Sequence, residues 1–437
     1  MKLLIIGSGG REHALVWKLA RSPHVTQMWC APGNAGIGSE RLVKNGVPVE
    51  CVNIGAEDLP KLLAFAQEKR PDLTVVGPDN PLALGMVDLF QKHGLRIWGV
   101  NRKAAQFESS KVFSQNFMEK YGIPTARAVS ISAGQFTEES RLQEVRRFVM
   151  ELGDRCVVKA DGLALGKGVL ICNNYSETYA AITGMLVGKK FGEAGKRIVI
   201  QEFLEGVEVS LHALCDGKTA KLFPTSQDHK RALDGDLGLN TGGMGTYSPT
   251  PFLTDAQLAD VARKILDPFT RGCVAEGIDY RGILYPGIML TKDGPKVLEF
   301  NTRFGDPETQ VYLTRLENDF VELLDASVSG TLDKLELKWS AMASVCVVMA
   351  SGGYPGSYAK GKVISGFDAA NAFPRTKVFH AGTARAGEQI VTNGGRVLGV
   401  TALGDDLKSA QAAAYAAVEK IHFDGAHFRR DIAAKAL

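Results

Sequence analysis

The stretch CVVKADGLALGKGVLI, Cys156–Ile171, decides how the chain is read. An apolar, β-branched run carrying Lys159 leads into the glycines Gly162, Gly166 and Gly168, and a second β-branched run follows. A P-loop is the obvious reading, and its pattern G-x-x-x-x-G-K-[ST] fails here. Asp161 stands at the first glycine position, and Gly168 stands where the magnesium-binding hydroxyl belongs. What remains is a lysine-bearing strand, a glycine loop and another strand. Such a loop can fold over phosphates and offer backbone N–H donors. Lys159 lies among apolar strand residues, where an unpaired charge is costly, so it calls for an anionic partner.

Two further features point the same way. Lys111 is a second compact point charge suited to phosphate oxygens, on a helix read from ESSKVFSQNFMEKYGIPTA and ended by Gly122 and Pro124. In VLEFN, Glu299 and Asn301 are two apart on one strand and share a face. A carboxylate beside an amide oxygen is the hard-oxygen pair that Mg²⁺ uses when substrate phosphates complete its shell. Singly, each of these is ordinary: a surface lysine is usually solvated, and an E-x-N pair fits any exposed strand.

The first hundred residues alternate apolar strands with helical patterns, which predicts a parallel sheet with helices on both faces. Ligands sit at the carboxyl ends of such strands, here Gly7–Gly10, Pro32–Asn34 and Gly77–Asn80. GSGGRE resembles a dinucleotide fingerprint, but Glu12 replaces the third glycine. Gly9 and Gly10 instead suit the approach of a phosphate or ribose at a helix N-terminus. From about Ala104 a smaller α+β unit begins, with helices near 138–152 and 176–188 and two strands around Glu205-Gly206. A long helix follows from Thr254, its N-cap, to Gly277, kinked at Pro268. A hairpin turns at Asp293-Gly294, and the residues from about Asp333 are β-rich before a final helix.

Composition excludes several classes. The formal charge is +3, with no Lys/Arg block, so nucleic acid is not an expected partner. No apolar run reaches the ~18 residues of a membrane span, and the N-terminal LLII is too short for a signal peptide. Seven cysteines without a C-x-x-C pair suit reduced thiols in a cytoplasmic protein.

Taken together, the lysines, the glycine loop and the Glu299/Asn301 pair resemble the ATP-grasp superfamily of carboxylate–amine ligases. Nine ordered motifs sharpen the resemblance to its glycinamide ribonucleotide synthetase family: VIGxGGREHA, APGNAG, VGPxxPL, VVKADGLAxGKGV, TSQDHKR, NTGGMGxYSP, EFNxRFGDPETQ, SGGYPG and VTNGGRVL. It runs from residue 1 to about residue 430. Three parts are implied: residues 1–104, a Rossmann-like pre-ATP-grasp domain; 105–330, the ATP-grasp domain with a lid at about 123–195; and 331–437, a small β-rich domain.

The resemblance implies ligation of glycine to 5-phosphoribosylamine at the expense of ATP, with Mg²⁺ or Mn²⁺, in purine biosynthesis. Lys111, Lys159, Gly162, Gly166 and Gly168 would meet the triphosphate, Glu202, Phe203 and Leu204 the adenine, and Glu208 the ribose of ATP. Glu299 and Asn301 would hold the metal. Arg303 would bind the glycine carboxylate in a bidentate pair, and Asp228 would orient the amine. Gly9, Gly10 and Asp79 would hold the ribose phosphate, and Gly242, Gly243, Met244, Gly305, Asp306, Pro307 and Glu308 would line the substrate site. In FGDPE, Asp306 reads as an N-cap, with Pro307 at N1 and Glu308 in the first turn.

Departures from the family pattern are Asp79 where Glu is common, Leu165 in place of a small lid residue, and Gln201 where an acid is common. The metal-binding Asp that other ATP-grasp ligases carry opposite VLEFN is expected near Gly287, leaving fewer side-chain ligands. Two rivals remain: another ATP-grasp ligase or carboxylase, against which TSQDHKR and TGGMG argue, and a non-catalytic nucleotide binder. Oligomeric state is not legible in the sequence.

Overall fold

A computed structural model of the chain describes residues 1–162, 168–188 and 192–437. Gly166 and Leu165 lie outside these described residues. The N-terminal sheet is parallel, in the strand order Glu50–Cys51, Gln27–Pro32, Lys2–Gly7, Leu73–Val76, Ile97–Trp98. Leu3, Leu4, Ile5 and Ile6 are fully buried, as a strand covered on both faces requires. Strand order switches direction beside Lys2–Gly7, where open α/β sheets bind ligands. Here the crevice is partly filled from within. The Glu12 carboxylate accepts the Gly9 N–H at 2.6 Å, and a Cβ at Gly77 would stand 2.2 Å from its Oε1. A buried side chain thus occupies the crevice beside the residues that a dinucleotide fingerprint would leave as glycine.

The second sheet is antiparallel, in the order Ala128–Ser132, Arg197–Glu202, Cys156–Ala160, Val169–Cys172. Helices Glu139–Glu151 and Tyr175–Leu186 cover it, through buried Val145, Val149, Ile182 and Met185. A third sheet has the order Val207–Ser210, Arg281–Thr291, Ala213–Asp216, Ala220–Leu222, with Gly294–Asn301 also on the long strand. The two strands flanking Glu205-Gly206 therefore do not pair with each other. The chain leaves one sheet and enters the next there, and a Cβ on Gly206 would meet the Leu290 carbonyl oxygen at 2.1 Å.

The long helix expected from Thr254 forms in three pieces: Asp255–Val261, a π-helical turn Ala262–Leu266, and Asp267–Ala275. Pro268 has no N–H and its ring crowds the preceding turn, so widening the helix just before it relieves both. The last sheet has the order Gln227–Asp228, Gly245–Ser248, Ala343–Ser351, Arg396–Gly404, Thr376–His380, with Ala426–His427 also on Ala343–Ser351. Two of its strands come from well before residue 330. Helix Leu407–Val418 lies against it through buried Ala410, Ala414, Ala417 and Val418, the spacing of one helical face. No described helix is long and apolar enough to cross a membrane.

Candidate active site

The strand Gly294–Asn301 organises the site. Its partner strand places Gly287 opposite Glu299 and Tyr285 opposite Asn301. The register shifts between Gly287 and Ile288, so Leu298 has no counterpart. Such a bulge re-aims the bulged strand's carbonyls, and Lys159 Nζ donates to the Leu298 carbonyl at 2.9 Å. Lys111 opens helix Lys111–Lys120, capped by Ser110, and its Nζ donates to the Gly162 carbonyl at 3.2 Å. Asp161, within the glycine-loop sequence, has a structural task. It accepts the Ser110 hydroxyl and the Val112 N–H, and it pairs with Arg197.

Charges are deliberately unbalanced here. Burial pushes Lys159 down to about 8; Glu299 pulls it back, while Lys111 and Lys230 push it further. Burial would raise the Glu299 carboxyl, but Lys159, Lys111, Lys230 and Arg303 hold it at about 2. Burial works against the Lys230 ammonium, and Glu208, ion-paired with it, and Glu299 more than restore it. Lys111, Lys159 and Lys230 therefore face Glu299 and Glu208, a surplus of positive charge that a polyanion would neutralise. The ionised Glu299 carboxylate, with Asn301 Oδ1 held among the described residues only by a 3.4 Å contact from Arg303, is a fitting donor set for a hard divalent cation.

Arg303 is more engaged than a free bidentate fork. Its Nη2 pairs with Glu108 Oε1 at 2.9 Å, and its Nη1 donates to the Phe304 carbonyl at 3.3 Å. Its Nε is buried with no partner among the described residues, the N–H left for an incoming acceptor. Glu108, 7% exposed, also accepts the Thr302 N–H at 2.8 Å and the Thr302 hydroxyl at 3.1 Å. Burial raises its carboxyl, against the pull of Arg303. Asp79 opens the short helix Asp79–Ala83 and adds negative charge to this group.

Beyond Arg303 the chain turns through Gly305, Asp306 and Pro307. Asp306 is not the cap expected of it. The helix is Glu308–Arg315 with Pro307 at the N-cap position, so Asp306 stands one residue outside. Its carboxylate accepts Gln310 Nε2 at 2.8 Å and pairs with Arg396 at 3.3 Å. Glu308 points inward instead, accepting the Tyr285 hydroxyl at 2.5 Å. Gly305 donates its N–H to His212 Nε2 at 3.1 Å. Gly9 and Gly10 lie against this turn: Cβ atoms there would stand 3.4 and 3.3 Å from the Asp306 carboxylate, and one on Gly10 would meet Gln310 at 2.7 Å.

Asp228 faces the same turn. Burial and the neighbouring Glu308 push its carboxyl well up, against Lys230 and Arg396. Gly243 has φ +112°, and a Cβ there would be 2.7 Å from both Asp228 Oδ1 and Pro307 Cδ, so only glycine fits. Met244 is buried behind the loop, its N–H on the His229 carbonyl. His229 is held down to about 4 by burial, with Arg429 adding to it, and is a poor proton acceptor at neutral pH.

At the opposite edge, Glu202 ends its strand with the N–H on the Arg127 carbonyl. Its carboxylate accepts the Arg127 N–H at 3.2 Å and lies 3.5 Å from Lys296. The Arg155 guanidinium lies 3.7 Å over the Phe203 ring, and Leu204 is buried. The structure also adds residues with no assigned part in the sequence reading. Glu108 gives no local signal, whereas Tyr354 and Arg396 sit in SGGYPG and VTNGGRVL.

Family comparisons cover nearly the whole chain. The N, ATP-grasp (A) and C domain models of phosphoribosylglycinamide synthetase match residues 1–108, 109–309 and 344–435. The chain belongs to the phosphoribosylglycinamide synthetase family. It is 50% identical to the phosphoribosylamine–glycine ligase of Vibrio cholerae, over 100% of this chain and 99% of that one. Identity to the ligase of Allochromatium vinosum is 48% over the same shares. The crystal structure of the Thermotoga maritima ligase superposes with a TM-score of 0.81 at 34% identity, covering 99% of this chain and 100% of that one. A Campylobacter jejuni biotin carboxylase shares the fold, with a TM-score of 0.72 at 13% identity, covering 98% of this chain and 92% of that one. As a member of this family the chain is a ligase built on an ATP-grasp domain, using ATP and a divalent metal on small-molecule substrates.

Proposed function

We propose that this ligase joins glycine to 5-phosphoribosylamine, giving glycinamide ribonucleotide, ADP and phosphate, as a step of purine biosynthesis. The observation that carries the reading is the positive surplus around Glu299, set beside Arg303 on one short run of chain. A carboxylate does not acylate an amine at neutral pH until one oxygen becomes a leaving group. Transfer of the γ-phosphoryl group to the glycine carboxylate makes glycyl phosphate, and the ribosylamine nitrogen then attacks its carbonyl carbon, expelling phosphate. The protein contributes position and neutralisation rather than a covalent step.

Lys111 and Lys159 neutralise the triphosphate under the loop that includes Gly162, Gly166 and Gly168. Glu202, Phe203 and Leu204 border the adenine; with the Glu202 N–H and carboxylate engaged, the backbone of Phe203 and Leu204 is the freer recognition edge. Glu208 meets the ribose hydroxyls of ATP. Glu299 and Asn301 would hold the metal, Mg²⁺ or Mn²⁺, which would supply charge neutralisation to the phosphates. Arg303 holds the glycine carboxylate through Nε. Asp228 orients the amine, with Gly242, Gly243, Met244, Gly305, Asp306, Pro307 and Glu308 around it, while Gly9, Gly10 and Asp79 hold the ribose phosphate.

The parts divide as residues 1–104, 105–330 with the lid at about 123–195, and 331–437. Seven free cysteines, six of them buried, suit a cytoplasmic setting. A carboxylase on the same fold fits less well because TSQDHKR and TGGMG resemble the glycine ligases in particular, and a non-catalytic binder because Lys159, Glu299, Asn301 and Arg303 are all present in working surroundings.

The test is the fate of oxygen. With glycine labelled by ¹⁸O in its carboxylate, one label per turnover passes into inorganic phosphate. Product formed with unlabelled phosphate would rule out the acyl phosphate route.

A further inference from the structure

The loop Thr241–Met244 is gripped by two residues with no part in the reading so far, one on a strand of the C-terminal sheet and one in the turn after strand Ala343–Ser351. Tyr354 Oη accepts the Gly242 N–H at 3.0 Å. Arg396, at the start of strand Arg396–Gly404, donates Nη1 to the Gly242 carbonyl at 2.6 Å, and also reaches the carbonyls of Gly243 and Asp306. Its Nη2 pairs with the Asp306 carboxylate. One guanidinium therefore ties together two segments, the glycine loop and the Asp306–Pro307 turn. Asp228 is wedged at their junction, against Gly243, which in turn abuts Pro307.

The grip is built rather than incidental. Arg396 and Asp306 are both largely shielded from water, at 22% and 15% side-chain exposure. A Cβ on Gly242 would stand 3.0 Å from Arg396 Cζ, and one on Gly395 would stand 2.3 Å from the Tyr354 ring. The approach at Gly395 leaves no room for a side chain, and that at Gly242 is tight, with both glycines beside the gripping residues. The Thr241 hydroxyl closes the loop from within, accepting the Gly243 N–H at 3.0 Å and donating to the Lys230 carbonyl at 2.9 Å. The ATP and metal residues Lys159, Glu299 and Asn301 lie outside this set of contacts.

We propose that Tyr354 and Arg396 are positioning residues for the amine-accepting half of the reaction, fixing the Thr241–Met244 loop on the Asp306–Pro307 turn so that Asp228 meets the incoming amine. This rests on the assignment of Asp228 to that amine. The C-terminal sheet then determines how well the amine substrate is used, without touching ATP or glycine.

Steady-state kinetics with each of the three substrates varied in turn, on the full-length protein, test this. Tyr354→Phe keeps the ring against Gly395 and deletes one acceptor. It is expected to raise KM for phosphoribosylamine about fivefold, the worth of one hydrogen bond, with KM for ATP and glycine and the melting temperature unchanged. Arg396→Met is expected to raise it further, and Arg396→Lys, which keeps the charge but not the fork, to recover only part. Should Arg396→Met fail to fold, Tyr354→Phe decides alone. Equal rises in all three KM values, a fall in melting temperature with unchanged KM values, or no change would each overturn the proposal. A native protein that forms no product from glycine and phosphoribosylamine would instead overturn the functional reading beneath it.

Discussion

Lys159 donates its ammonium to the carbonyl of Leu298, 2.9 Å away, and Leu298 is the bulged residue immediately before Glu299. A strand of one sheet is thereby fastened to a strand of another through the charge that the triphosphate would need. Without that anion the ammonium is buried beside two others, and this has measurable consequences.

The first concerns pH. Lys159 sits at about 8 against an ordinary 10.5. The unfolded chain holds this proton more tightly, so this group makes stability rise with pH between about 8 and 10.5. ATP binding runs the other way, because it needs the charged form. KM for ATP should climb above about pH 8, by up to about tenfold per pH unit, while KM for glycine stays level. A flat ATP profile to pH 9.5 would contradict the assignment.

Glu299 carries the opposite sign. Its carboxyl is held at about 2 against an ordinary 4.5, so its contribution is full above 4.5 and is lost as pH falls toward 2. Glu299→Gln removes both a metal ligand and the carboxylate that supports Lys159. Turnover should fall at least about a hundredfold, and the pH at which ATP affinity weakens should move below that of the native protein. Unchanged turnover at saturating Mg²⁺ would remove Glu299 from the metal site.

Gly287 lies opposite Glu299 with room beside it: among the described residues the nearest atom to a Cβ there would be the Glu299 carbonyl oxygen at 3.9 Å. Gly287→Asp should therefore fold and set a second carboxylate facing the first. Without metal the two repel and the melting temperature falls. With Mg²⁺ the loss should be recovered, and the thermal shift on adding Mg²⁺ should exceed that of the native protein. No added shift would mean that the cation binds elsewhere.

Glu108 fixes Arg303 from behind. Glu108→Gln keeps an oxygen for the Thr302 N–H but leaves the guanidinium without its buried counter-ion, a cost of about 3 kcal/mol or more. The expected outcome is a lower melting temperature and a rise in KM for glycine of about tenfold, with KM for ATP little changed. Equal effects on both substrates would reduce Glu108 to a packing role.

Much of this was legible because it is local. Alternation along VLEFN put Glu299 and Asn301 on one face, and an apolar strand around Lys159 marked it as a charge needing a partner. The place of Gly287 opposite Glu299 came from the resemblance to other ATP-grasp ligases, and it is the bulge at Leu298, not regular hairpin register, that sets it. Local pattern failed where distant chain decides. Asp306 reads as an N-cap by composition, yet Arg396 and Gln310 hold its carboxylate and the helix starts at Glu308. The strands around Gly206 look like one hairpin, but each finds its partners in a different sheet. Arg396 reaches Asp306 from ninety residues away, and Glu108 meets Arg303 across a greater span. No periodicity reports such contacts.

The most direct measurement is phosphate release from ATP with glycine and freshly generated phosphoribosylamine, each omitted in turn, with Glu299→Ala run beside the native chain. Release that needs both substrates and is lost in the variant is the predicted result. Release supported by bicarbonate but not glycine, or no release at all, would contradict it.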